Sequence, residues 1–292
     1  MTDSPRLKAA IFMSLGALFL SLVPVFVKLI PADSGIPTFQ KLFVRGLAAT
    51  LVLGGVLLAR GISFRPGSTI LMGGRALLGI AGMLTFFLAV EGLPLAEAVT
   101  INKLSPFFVL ILSRFFLGER LKWIQMIAIV LGFSGVVVII RPGSIPVTLP
   151  AGLAVVSALF AGSAYTTLRA LRRTDRPLRV VFWFSAAITL VFLPQMLASG
   201  VMPRPAELLF LLGIGLSGTA GQLFMTRAYR FAPGGEVAIY GYLSVVFSMV
   251  WQLIFFDSMP GSAVFIGAGL ILLGGWMNYR SGGPQPAGRA GS

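Results

Sequence analysis

The 292-residue chain is 57% apolar and only 11% charged, with 23 Lys and Arg against 9 Asp and Glu and a formal charge of +14. A soluble surface needs about a quarter of its residues charged, so the composition excludes an ordinary globular domain and suits a bilayer as solvent. It contains no His and no Cys, which removes zinc sites, thiol nucleophiles, disulfides and His-based triads; neither a metal nor a cofactor is expected.

Apolar runs of about twenty residues recur, each long enough to cross roughly 30 Å of hydrocarbon. The first, 7–30, lies in "MTDSPRLKAAIFMSLGALFLSLVPVFVKLI". It is too long for a signal peptide and no A-x-A site follows it, so it reads as a span. Runs 37–59 and 70–90 follow, broken by "PADSGIP" and "RGISFRPGS".

The fourth run, 95–117, carries Glu97, Asn102, Lys103 and Pro106. Ionisable and polar groups within a span are costly, which makes them functional candidates. Pro106 has no N–H for the carbonyl of Asn102. A freed carbonyl, an amide and an ammonium are therefore expected near mid-membrane. A packing kink, with Lys103 paired to Glu97 or reaching for the interface, is the plainer reading. The fifth run, 123–140, follows "GERLK", whose Glu119 reads as a local ion-pair partner.

Runs 149–171, 178–198, 206–229, 235–256 and 262–279 complete ten spans. Tyr165 lies in the sixth, Gln222 and Met225 in the eighth, and Tyr240, Tyr242 and Ser244 in the ninth. Phe86 and Phe87 lie in the third. Trp123, Trp276 and Tyr279, near span ends, read as interfacial aromatics. The tail, 281–292, is Gly- and Pro-rich and reads as a flexible segment.

Lys and Arg set the orientation. With the N-terminus inside, 17 fall on the cytoplasmic side and five outside, with Lys103 within a span. Arg75 counts among the former and Arg45 among the latter. Both termini are expected in the cytoplasm, and the excess positive charge becomes a topology signal rather than a nucleic-acid surface.

Sliding residues 79–98 by 139 positions onto 218–237 aligns Gly79, Ala81, Gly82, Leu84, Ala89, Pro94 and Glu97 with Gly218, Ala220, Gly221, Leu223, Ala228, Pro233 and Glu236. Roughly two or three chance matches are expected in twenty apolar-biased positions, so the seven mark a repeat. The register continues at Leu104/Leu243, Ser105/Ser244 and Gly135/Gly274. The fold class is thus an all-α integral membrane protein of ten transmembrane helices in two five-helix repeats. Five being odd, the repeats are expected to be inverted, and such repeats are a hallmark of secondary transporters. The division is 1–141, 149–280 and a cytoplasmic tail. Glu97 and Glu236, each three residues after a Pro, read as helix-dipole partners or as gate or coupling acids.

"LSPFFVLILSRFFLGERLKWIQMIAIVLGFSGVVVII", closing the first half, resembles the EamA family of the drug/metabolite transporter superfamily. The second half departs from the pattern at Asp257-Ser258 and "GAGLILLGG". The resemblance implies movement of small metabolites across the bacterial inner membrane, with amino-acid exporters among the best-known members. It also implies a central cavity lined by spans 3, 4, 8 and 9. The expected substrate contacts are Asn102, Lys103, Tyr240, Gln222, Phe86, Met225, Tyr165 and Ser244, suiting amino acids, including aromatic and hydrophobic ones. Expected partners are a small-molecule substrate and the bilayer, with a monomer as the working unit and no nucleic acid. No carboxylate falls at a span centre, which favours exchange or facilitated flow over a deep proton relay; a proton-coupled drug or metabolite exporter is the alternative. An intramembrane enzyme would need a nucleophile and base, and Ser105 and Lys103, two residues apart, face different sides of a helix. A receptor or scaffold has no use for an inverted repeat.

Overall fold

The computed structural model describes residues 4–116, 118, 120–140, 148–171, 174–231 and 239–281. Glu119, Glu236 and the tail beyond Ser281 lie outside them. The helices are α1 (Ser4–Leu29), α2 (Thr38–Ala59), α3 (Thr69–Gly92), α4 (Leu95–Asn102), α5 (Ser105–Phe116), α6 (Trp123–Ile140), α7 (Leu149–Leu171), α8 (Pro177–Ser199), α9 (Pro205–Phe231), α10 (Leu243–Phe256) and α11 (Ser262–Arg280). Among the described residues ten spans are long and apolar enough to cross a membrane, α4 and α5 together forming the fourth.

The distribution of side chains is that of a protein in lipid. Leu51, Leu58, Ile70, Leu77 and Phe115 are exposed, while Ser157, Gln125, Thr100 and Ser248 are buried. Hydrocarbon gives a leucine no reason to turn inward, so small and weakly polar residues take the helix interfaces. Their hydroxyls are satisfied within their own helices: Thr100 Oγ1 donates to Ala96 O at 2.6 Å and Ser248 Oγ to Val245 O at 2.7 Å.

Most of the packing is between the halves. The most extensive contacts are α1 with α9, α3 with α7, α6 with α11 and α2 with α8, and α4 meets α10 less extensively. Exchanging spans 1–5 with 6–10 turns the first pair into the second and returns each of the others to itself. This pairing is compatible with two five-span repeats. The α6–α11 pair meets backbone to backbone: a Cβ on Gly135 would meet Gly267 O at 2.6 Å, and one on Gly267 would collide with Gly135 O.

Hydrogen bonds tie the halves at both ends. At one end the Gln40 side chain exchanges two bonds with the Val201 backbone at 2.7 and 2.9 Å. There, too, the Ala96 N–H, in the first turn of α4, donates to Gln252 Oε1 at 2.8 Å. At the other end the Asp175 carboxylate receives the Gly67 N–H, and Trp183 Nε1 donates to Phe64 O at 2.7 Å.

Candidate functional site

The fourth span, expected to be one helix, is broken. α4 stops at Asn102 and α5 starts at Ser105. Between them the Lys103 N–H turns back to Thr100 O at 3.1 Å and the Leu104 N–H to Ile101 O at 3.0 Å, which are three-residue rather than four-residue turns. Pro106 explains the position, because it cannot donate to Asn102 O. The ninth span breaks too: residues 239–241 are helical, Tyr242 is a turn, and α10 starts at Leu243. In the 139-residue register Tyr242 is the counterpart of Lys103. Both halves therefore interrupt the same span at the same place, and α4 packs against α10.

At the first break Asn102 Nδ2 donates to Ser157 Oγ of α7 at 2.8 Å, and Ser157 Oγ donates to Ala154 O at 2.7 Å. Part of the Asn102 amide is thus engaged in holding spans 4 and 6 together. Lys103 is half-buried at the break. Near the second break Ser244 caps its own turn, donating to Gly241 O at 3.0 Å, and Tyr240 is 39% exposed. Tyr242 is buried with its ring over Gly275, where a Cβ would lie 2.5 Å from Cζ.

The remaining expected contacts are dispersed. Phe86 packs with Val25, Leu95 and Val99. Met225 packs with Ala9, Met13 and Ala228, on the α1–α9 interface. Gln222 is half-buried on α9. Glu97 lies in the first turn of α4 and within electrostatic reach of Lys28, whose Nζ donates to Leu93 O at 2.6 Å. Among the described residues no three potential metal ligands cluster.

The structure corrects the charge count at two residues. Arg45 and Arg75 are not flanking charges; they lie within α2 and α3, 8% and 9% exposed. Arg45 Nη1 donates to Met83 Sδ at 2.6 Å, a weak acceptor. Arg75 stacks on Phe184 of α8, its guanidinium carbon 4.5 Å from the ring centroid. Arg45 Nε and Arg75 Nε and Nη1 are buried without a hydrogen-bond partner. Both guanidinium groups lie within electrostatic reach of Tyr165 on α7, which is 38% exposed. Arginine keeps its proton, and an unpaired buried ion costs on the order of several kcal/mol even after relaxation.

Equivalent glycines make the room. A Cβ on Gly79 would collide with Arg75 Nη1, and one on Gly218 would come within 2.9 Å of Arg45 Nε. Gly79 and Gly218 are the first matched pair of the repeat. The sequence therefore carried a signal for this cluster, but as a glycine match rather than as a charge pattern.

The EamA-like transporter family model matches twice, over residues 7–141 and 148–280. The chain is 29% identical over 248 residues to a pseudopaline exporter of Pseudomonas aeruginosa, covering 83% of this chain and 86% of the relative. It is 32% identical over 249 residues to a transporter of Helicobacter pylori, covering 81% and 83%. It is 30% identical over 199 residues to a riboflavin transporter of Rhizobium johnstonii, covering 68% and 66%. A solved crystal structure shares the fold with a TM-score of 0.68 at 20% identity, covering 93% of this chain and 97% of the other.

Proposed function

The chain belongs to the EamA-like transporter family, and from that premise we propose that it moves small organic metabolites, amino acids first among them, across the bacterial inner membrane by alternating access, as an exporter or exchanger. The observation that carries this reading is the paired break in spans 4 and 9. Interrupted helices expose backbone carbonyls and helix ends where spans meet, and transporters use such breaks for substrate sites near the midplane. The ties between the halves at both ends are the bonds that an opening on either side would have to break.

The relatives' names span a pseudopaline exporter and a riboflavin transporter, so the substrate is argued from the site. An α-amino acid carries an ammonium that seeks carbonyl oxygens, such as that of Asn102, and a carboxylate that seeks donors. Among the described residues the carboxylates stand at helix ends or in connections: Asp33, Glu91, Glu97, Asp175, Glu207 and Asp257. That favours exchange without an obligatory proton.

Counterflow in liposomes tests both statements. Purified protein, loaded with unlabelled amino acids, nucleosides or sugars in turn, is offered the labelled counterpart. Amino acids are expected to exchange, and a proton ionophore is expected to leave the exchange rate largely intact. Loss of exchange on adding the ionophore sinks the uncoupled reading, and no counterflow across the panel sinks the amino-acid reading.

A further inference from the structure

We infer that Arg45, Arg75 and Tyr165 form an oxyanion subsite and that the transported solute is held there by a carboxylate or phosphate group. The inference rests on the transport reading above and deepens it to a substrate class.

Three observations converge. First, two guanidinium groups from adjacent spans are both nine-tenths buried, and three of their nitrogens lack hydrogen-bond partners. No carboxylate among the described residues pairs with either. Glu91 receives Lys41 at 2.9 Å, Asp175 receives Arg179 at 3.1 Å, and Glu207 lies beside Arg204. Second, both groups meet the same helix: a Cβ on Gly79 would collide with Arg75 Nη1, and Arg45 Nη1 donates to Met83 Sδ, residues one turn apart on α3. The forked N–H pattern of a guanidinium matches a carboxylate or phosphate in two-point bonding. Third, Tyr165 of α7, itself 38% exposed, lies within electrostatic reach of both and adds a hydroxyl donor.

The surroundings fit a site for a transported solute better than a structural ion pair. The groups come from α2 and α3 of the first half and from α7 of the second, with Phe184 of α8 and Gly218 of α9 completing the wall. A solute bound among them touches both halves, so its binding is sensitive to how the halves are arranged. The neutral acceptors present, the Met83 thioether and the Phe184 ring, hold the arginines in place without neutralising them, which leaves their charge for a ligand.

The test uses purified full-length protein in detergent at constant ionic strength. Succinate, glutamate and inorganic phosphate are titrated while the melting temperature is followed, with glucose and glycerol, which carry neither group, as controls. At least one of the three anions is expected to raise the melting temperature, succinate and phosphate separating a carboxylate preference from a phosphate preference. Half-saturation is expected to weaken about tenfold or more in Arg45→Gln and in Arg75→Gln, the loss of a charge-assisted pair, and to recover in part in Arg75→Lys. Gly218→Ala, which keeps every charge but crowds Arg45, is expected to weaken binding too, and it serves if a Gln variant fails to fold. The subsite is overturned if none of the three anions binds, or if binding is unchanged in both Gln variants. Counterflow of the anion that binds is read separately. Binding without counterflow leaves the subsite standing and removes the transport reading; counterflow of neutral solutes alone, indifferent to Arg45→Gln and Arg75→Gln, removes the subsite.

Discussion

Asp175 receives the Gly67 backbone N–H on both carboxylate oxygens, at 2.9 and 3.1 Å, joining the α7–α8 connection to the α2–α3 connection. Burial works to raise the Asp175 carboxyl. The bonds from Gly67, Arg179 and Thr174 and the charge of Arg179 outweigh it and hold the group below its ordinary value of 3.8. A depressed acid contributes stability that is complete above its unfolded value and is lost as pH falls through the folded one. Asp175→Asn is therefore expected to lower stability by about 1–2 kcal/mol at pH 7. The gap to wild type is expected to hold down to about pH 4 and to close below 3.8. Melting temperatures from pH 7 to pH 3 check it; a gap that persists undiminished at pH 3 contradicts the assignment.

The α6–α11 contact makes a paired prediction. Gly267→Ala forces a methyl onto the Gly135 carbonyl and is expected to cost about 1–3 kcal/mol, as overpacking does. Gly269, two residues on, has open space around its missing Cβ. Gly269→Ala is expected to be neutral, or to stabilise by up to about 1 kcal/mol through helix propensity. Unfolding of both variants in detergent decides it, and equal destabilisation contradicts the packing described.

The Asn102–Ser157 bond separates a packing role from a substrate role. Asn102→Ala and Ser157→Ala both remove the 2.8 Å bond, and a double-mutant cycle on stability is expected to show coupling of about 0.5–1.5 kcal/mol. If the Asn102 side-chain amide also meets substrate, Asn102→Ala raises the KM of counterflow several-fold beyond Ser157→Ala. Exposed Leu58→Ala is the control. Equal KM values in the two single variants leave Asn102 as packing alone.

Orientation is open to a labelling experiment in this Cys-free chain. Removing buried Arg45 and Arg75 from the flanking charges leaves 16 basic residues on the side of the N-terminus and four on the other, so the bias stands. Ser144→Cys is expected to react with a membrane-impermeant thiol reagent added outside intact cells, and Thr174→Cys only after the membrane is opened. Labelling of position 174 but not 144 from outside reverses the proposed topology.

The ten spans were legible in the sequence because they are a one-dimensional property: about twenty apolar residues, punctuated by Pro, Gly and charge, need no partner to be recognised. The repeat was legible for the same reason, since matched glycines and prolines keep their spacing. Pro106 marked where span 4 loses a hydrogen bond, but the break itself and its counterpart at Tyr242 emerged only in three dimensions, because a lone proline is as compatible with a kink as with an interruption. The fate of individual polar groups was decided by the tertiary structure alone. Arg45 and Arg75 read as flanking charges because hydropathy averages over a window and cannot see that Gly218 and Gly79 leave space for a guanidinium. Asn102 read as a free amide because nothing in its own helix announces Ser157, 55 residues away. Which side chains meet depends on how helices from the two halves are rotated against each other, and that is set by small residues at their contacts rather than by the apolar content that defines the spans.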